Sequence, residues 1–304
     1  MVKHPVLFET FARVSTARVA WEHIKASQPA KLYFYSNKAR SDRPDEVKRN
    51  EEIRGWIKEI DWECELHTWF RDEYVDVYTS LKGSKDWALK NEEAIIVIED
   101  DCVASKAFFQ FCDHFLDYYK DNSEIQFISG NNYTGIEKWN GDHIISPFCT
   151  KYGMALWKDR WQRLDFHIRN TDISFSDFAE IFKGSLFITL FFYVWDRLFH
   201  KHVHETQVYD AILDLNCYKN NWKAIAPICN LTQNVGIEGT HSQDPSSPIF
   251  KQRIHISDNY LFYNKPVVYP ENVKFFKLHV KMTYGLSLSK VVSFVLKKLK
   301  LKKK

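Results

Sequence analysis

The chain has 304 residues, 45% of them apolar, enough to bury a substantial core in one large domain or two small ones. Its formal net charge is +3, but lysines at 290, 297, 298, 300, 302, 303 and 304 carry that excess, and the remaining body is slightly acidic. A charge so placed excludes a general nucleic-acid binder, whose basic residues line a working face. Six cysteines, none spaced as CxxC, argue against a disulfide framework or a structural zinc site, and a cytoplasmic, reducing compartment is expected. The N-terminus has no long apolar h-region, and the longest apolar stretch, Leu186 to Trp195, is half of what a membrane span needs. Aromatic residues make up 16% of the chain. Flat rings serve sugar faces and protein cores alike, so this surplus decides nothing alone.

Pro5–Thr10 reads as a first strand, followed by a helix over about Ser15–Ser27 capped by Ser15 or Thr16. Lys31–Ser36 is a second strand, Pro44–Ile60 an amphipathic helix, and Cys64–Phe70 a third strand. A helix over Val77–Asn91 leads into Ala94–Ile98, a continuous apolar run expected of a central strand buried on both faces. The spacing then predicts a helix over Ser105–Tyr119 and a strand over Ile125–Ser129. Trp139–Ser146 reads as loop and turn, Met154–Trp157 as a strand, and Lys158–Leu164 as a short helix. Asp172–His204 is expected to be helical, Tyr209–Tyr218 helical, Trp222–Pro227 extended, and Gly236–Pro248 a flexible loop. Alternation of strands and helices implies a largely parallel sheet covered by helices.

Glu99, Asp100 and Asp101 follow the buried strand directly, at the end where open α/β sheets bind ligands. Like charges in a partly desolvated crevice call for a counter-ion, and Mg²⁺ or Mn²⁺ takes carboxylates and substrate phosphates together. A solvated turn accounts for the triplet equally well on spacing alone. Neither GxxxxGK[ST] nor GxGxxG is present, which removes the P-loop and dinucleotide routes to phosphate binding.

Several longer segments occur in a fixed order: VLFETFARVSTA at 6–17, KLYFYSNKARSDRPDEVKRNEEIR at 31–54, CELHTWFRDEYVDVYTSL at 64–81, VIEDDCVASKAFFQFC at 97–112, ISGNNY at 128–133, GMALWKDRW at 153–161, and VYDAILDLNCYKNNWKAIAPICNLTQNVGIEGTHS at 208–242. In this order the chain resembles the GT-A glycosyltransferases. Within them it resembles the bacterial nucleotide-diphospho-sugar transferases related to the N-acetylglucosaminyltransferase that starts complex N-glycan branching. The resemblance implies an open, mixed, mainly parallel α/β sheet flanked by helices, in a domain over 1–285. Residues 1–135 would form its nucleotide-sugar-binding half and 136–285 its acceptor-binding and catalytic half, ahead of a basic amphipathic tail over 286–304.

The resemblance also implies roles. Asp101 matches the direct ligand of Mn²⁺ or Mg²⁺, and His241 matches a late-loop histidine that reaches the metal or diphosphate. Glu99 and Asp100 match positions at the ribose, metal and diphosphate, while Arg13 and Asn37 line the nucleotide. Asp210 is the candidate catalytic base, with Glu205, Asp214 and Asp196 as rivals. The implied reaction moves a sugar, with inversion, from a nucleotide diphosphate-sugar to a hydroxyl of a glycan or lipid-linked glycan. UDP is the first carrier implied, and GDP stays open. Relatives commonly have Trp where this chain has Tyr209, and GMALW lacks their Trp and Thr, so the acceptor does not transfer by analogy.

Two alternatives stay open: a catalytically inactive carbohydrate-binding or scaffolding protein, and a sugar nucleotidyltransferase, although ETFARVSTA lacks the Gly- and Lys/Arg-rich loop usual in the latter. His200, His202 and His204 alternate as HKHVH, but no partnering ligands stand at zinc-site spacing. Trp139, Trp157, Trp161, Trp195 and Tyr133 are candidate sugar platforms, each equally explained by packing. In the tail, Leu288, Val291, Val292, Val295, Leu296 and Leu299 stand at helical spacing among lysines, the pattern of a helix lying on an anionic membrane.

Overall fold

The first strand, β1 (Val6–Thr10), is buried along its whole length and pairs in parallel with β2 (Lys31–Ser36) and β4 (Ala94–Glu99). β3 (Glu65–Phe70) pairs in parallel with β2 and is exposed or half-buried throughout, as an edge strand is. These positions belong to a computed structural model, in which residues 2–132, 140–183, 186–199, 209–236 and 256–268 are described. The sheet continues from β4 through β8 (Met154–Trp157), β6 (Ile125–Ser129), β9 (Lys223–Pro227) and β7 (His143–Ser146) to β11 (Pro266–Val268). Its order is β11-β7-β9-β6-β8-β4-β1-β2-β3, and β8 runs antiparallel to both of its neighbours. The sheet is thus open, mixed and mainly parallel, as expected, and both sequence halves contribute strands to it.

Helices cover both faces because β1, β2 and β4 alternate two apolar sets. Val6, Phe8, Leu32, Phe34, Ile96 and Ile98 pack with α1 (Val14–Ser27) and α4 (Lys106–Tyr118). Leu7, Tyr33, Tyr35, Ile95 and Val97 face α3 (Val77–Leu89) and α8 (Tyr209–Asn220). Fully burying one such aliphatic side chain contributes about 1.5–3 kcal/mol, so these two faces dominate the fold's stability. Asp76 and Ser105 cap α3 and α4 by accepting from the amides of Thr79 and Phe108, at about 1 kcal/mol each.

Several elements depart from the expected boundaries. α1 begins at Val14 after an Arg13 N-cap without a side-chain cap bond, so the cap stands two residues before Ser15 and three before Thr16. The helix expected over Pro44–Ile60 ends as α2 (Pro44–Gly55) and tightens into a 3₁₀ turn at Trp56–Glu59. β7 lies where loop and turn were expected, because Ile144 is buried and the segment pairs antiparallel with β9. The segment expected to be helical from Asp172 breaks into a 3₁₀ turn at Asn170–Asp172, α6 (Phe175–Ile181) and α7 (Leu186–Phe199). Ser174 and Asp177 form a capping box that starts α6 afresh. Two short strands, β5 (Cys102–Ala104) and β10 (Thr232–Asn234), form a separate antiparallel ribbon. α5 (Lys158–Gln162) matches its expected place. All six cysteines are free thiols. Among the described residues, no helix is long and apolar enough to cross a membrane. The tail, the loop beyond Gly236 with His241, the HKHVH run with Glu205, Tyr133 and Trp139 lie outside the described residues.

Candidate active site

β1, β2 and β4 run in parallel, so the segments after their C-terminal ends gather at one edge of the sheet. That edge receives Arg13 after β1, Asn37 after β2, and the Glu99-Asp100-Asp101 run at the end of β4. Arg13 bridges the last two acids. Its Nη1 donates to Asp101 Oδ2 at 2.9 Å, and its Nη2 donates to Asp100 Oδ1. Asp100 is buried and also accepts from the Phe11 amide at 3.2 Å. Burial pushes the Asp100 carboxyl up to about 6, with Asp101 adding to the rise and Arg13 opposing it. Burial is also what depresses charge on Glu99, whose carboxyl is raised well above its ordinary value, with Asp101, Glu9 and Asp210 adding and Lys85 opposing.

Asp101 is held by its own backbone. Its carbonyl accepts from the Val235 amide at 2.8 Å, immediately after the β5–β10 ribbon. Gly236 then passes so close that an added Cβ would stand 2.6 Å from Asp101 Oδ2. The late segment of the chain therefore closes over the acidic turn, which is the reason a small residue is needed there.

Asp210 opens α8 from the opposite sheet face. The residue is exposed to solvent, yet protein walls it at longer range. That surrounding low-polarity volume raises its carboxyl above the ordinary value, with Asp214 and Asp101 adding to the rise and Lys151 and Lys85 opposing it. Among the described residues, none forms a hydrogen bond or ion pair with Asp210. Asp214, one turn on, is paired with buried Lys151.

Asn37 is placed differently from the others. Its side-chain amide donates to the Val75 carbonyl at 2.8 Å, and its Oδ1 accepts from the amides of Lys38 and Val75. It braces the segment before α3, so its part at the site is to shape a wall. Arg40 lies over the rings of Phe11 and Tyr74 at 5.9 and 5.5 Å beside that wall. Trp157 and Trp161 are buried in the core and present no open face for a sugar.

The acids fit a cation only in part. Among the described residues, no three His, Cys, Asp or Glu side chains are grouped to hold a metal ion. Asp101 supplies one half-open carboxylate, but Arg13 already neutralises it. A divalent ion at Asp101 requires that guanidinium to turn away.

Three residues of this region escaped the sequence reading: Glu9, Lys85 and Lys151. Lys85 was legible in principle, since Leu81, Lys85, Ala88 and Leu89 share a helical face, and a lysine on a buried face needs an acid partner.

No family model and no curated protein matches the chain. Among solved structures, the mannosyltransferase PcManGT from Pyrobaculum calidifontis, in complex with GDP-Man and Mn²⁺, is 12% identical over 60% of this chain, with a TM-score of 0.36. The match spans 52% of that protein, about half its length. HddC from Yersinia pseudotuberculosis is 12% identical over 51% of this chain and 77% of its own. Its TM-score is 0.30, and 0.32 for its complex with GMP-PN.

Proposed function

We propose that this chain is a glycosyltransferase that moves a sugar from a nucleotide diphosphate-sugar to a hydroxyl of a glycan or lipid-linked glycan. The observation that supports the reading is an arginine-neutralised acidic turn after β4, with a solvent-open carboxylate, Asp210, that lies within the field of Asp101. In this reading Arg13 turns from Asp100 and Asp101 toward the donor diphosphate, matching anionic oxygens with its planar fork. Glu99 and Asp100 border the ribose and diphosphate, and the Phe11–Asn37 side walls the nucleotide. UDP is the carrier favoured and GDP the second to test.

Asp210 takes the proton of the acceptor hydroxyl as the acceptor oxygen attacks the anomeric carbon. The bond from that carbon to the diphosphate oxygen breaks, and the electron pair leaves on the diphosphate. General-base assistance of this kind supplies about 10²–10⁴-fold. The raised pKa of Asp210 suits the task, because a stronger base accepts the proton more readily. Mn²⁺ or Mg²⁺ held by Asp101, with His241 as its expected partner, would offset charge on the leaving diphosphate.

Calorimetric titration with UDP, GDP and their sugar conjugates, with Mn²⁺ and with chelator, tests the donor site. Metal-dependent binding of one conjugate that is lost in Asp101→Ala is the expected result. Absence of binding to every conjugate would instead leave a scaffolding or carbohydrate-binding protein. Product analysis separates sugar transfer from nucleotide transfer.

A further inference from the structure

An ion pair with almost no exposure to water lies against the ring of Tyr209, the residue before the proposed base. Lys85 and Glu9 keep 1% and 3% of their side-chain surface. Lys85 Nζ donates to both Glu9 oxygens at 2.8 and 2.9 Å and to the Leu81 carbonyl at 3.2 Å, which uses all three of its protons. Ser84 Oγ donates to the same Glu9 carboxylate. The pair is therefore fully satisfied and held in a single geometry.

Its neighbours give it a place in the site. Glu9 stands opposite Glu99 in the β1–β4 register. On the other side, Lys85 Nζ lies 4.8 Å from the centroid of the Tyr209 ring, the residue directly before Asp210. α3 packs against β1, β4 and α8, so it is the element that spans the acidic strand end and the first turn of α8. The Tyr209 hydroxyl is buried and finds no hydrogen-bond partner, so nothing polar in the described residues fixes that ring from its far end. The ring is oriented instead by two contacts, the Lys85 ammonium on one side and the tilted Trp161 ring, centroid to centroid 5.9 Å, on another.

We propose that the Glu9–Lys85 pair is a positioning unit for Asp210: through the Tyr209 ring it helps to set the first turn of α8, and its buried ammonium adds a positive charge to the field at the base. The inference rests on Asp210 serving as the base. A buried ion pair adds little net stability compared with an apolar pair of the same volume, so its consequence is to be sought at the site rather than in the melting point. The groups that face Asp210 are Lys85 from α3, Lys151 from the segment before β8, Asp214 from its own helix, Asp101 from the acidic turn and Glu99 from β4. Lys85 and Lys151 favour the carboxylate, and the three acids disfavour it. Lys85 is among the groups that act most strongly on Asp210 and Glu9 is not, so loss of both charges tips that balance toward the protonated form.

The test is the combined variant Glu9→Gln, Lys85→Met, which removes both charges and spares the fold an unpaired buried carboxylate. Carbon-13 NMR of labelled aspartate, assigned through Asp210→Asn, follows the Asp210 carboxyl through pH in the intact chain. Hydrolysis of the donor that calorimetry identifies gives kcat and KM over the same range. In the folded variant the Asp210 titration moves to higher pH, kcat falls about tenfold on the acidic limb, and KM for the donor stays within about twofold. An unmoved titration with unchanged kcat in a folded variant overturns the proposal. If the native chain binds no donor, the glycosyltransferase reading fails, while the NMR titration still decides whether the pair governs Asp210.

Discussion

Arg13→Met removes the guanidinium that joins Asp100 to Asp101 and leaves two adjacent carboxylates facing one another. A hydrogen bond to a charged group contributes about 1.5–3 kcal/mol. Arg13 keeps 38% of its side chain in water, however, so screening cuts the value of the two bonds. Asp100 retains only 5% of its side-chain surface and has the Phe11 amide as its other donor, so most of the loss falls on this residue. A destabilisation of about 2 kcal/mol at pH 8 follows. Its pH dependence has a definite sign. The Asp100 carboxyl is raised from 3.8 to about 6 in the folded protein, so the folded state binds protons more tightly than the unfolded chain, and stability falls as pH rises through that window. Arg13 limits the rise, so its removal widens the window. The variant should lie close to the native protein near pH 4 and fall progressively below it toward pH 8. Urea unfolding at a series of pH values measures this directly. Mn²⁺ should then restore stability to the variant more effectively than to the native protein, because Arg13 no longer competes for Asp101. Equal denaturation midpoints at pH 8, or a difference that shrinks with rising pH, would refute the reasoning.

Asp142 accepts from the amides of Tyr263, Asn264 and Lys265 at 2.5, 2.8 and 2.9 Å, and from His143 Nδ1 at 2.8 Å in the tautomer that donates there. Asp142→Ala should cost about 3 kcal/mol or more and accelerate hydrogen exchange at those three amides first. Although burial opposes it, these bonds hold the Asp142 carboxyl below its ordinary value, so its contribution is present above the unfolded value and lost as pH falls through the folded one. Gly236→Ala puts a Cβ 2.6 Å from Asp101 Oδ2, and metal and nucleotide binding by calorimetry should weaken at least tenfold while the melting temperature moves little. Gly153→Ala combines a φ of +69° with a Cβ 2.7 Å from Thr232 Cγ2, and should destabilise by about 1–3 kcal/mol in denaturant unfolding.

Of the strands in the first 130 residues, β1, β2, β4 and β6 were legible because they are short apolar runs bounded by turn residues, whereas β5 was missed, being three residues that pair only with β10 far along the chain. β7, β10 and β11 were not legible either, for a physical reason. HIIS, TQN and PVV are too short and too mixed to show a period, and each becomes a strand only through a partner far along the chain. The acidic turn was legible as charge after a buried strand. Its neutralisation by Arg13 was not, since it depends on the angle at which the segment after β1 crosses the end of β4. Asn37 shows the opposite lesson: its position after β2 was read correctly, but its amide is spent on the Val75 backbone.

Two aspartates stand one helical turn apart on α8, and the sequence leaves the base open between them. Their surroundings separate them. Asp214 is buried and paired with Lys151, itself buried, so its carboxylate belongs to a structural pair. Asp210 is open to solvent, has no bonded partner among the described residues, and shares its field with Asp101 and Glu99. Breaking a buried pair from one side costs about 3–5 kcal/mol, so Asp214→Asn should lower stability markedly and reduce activity only through the folded fraction. Asp210→Asn should leave unfolding within about 0.5 kcal/mol of native, keep donor binding, and lower kcat by about 10²–10⁴-fold. Because the Asp214 charge raises the Asp210 carboxyl, Asp214→Asn removes that repulsion and should draw the acidic limb of the pH profile downward, the reverse of the shift expected on losing Lys85. A stable Asp214→Asn protein with kcat reduced as far as in Asp210→Asn would move the base to Asp214 and take the reading of Lys85 with it.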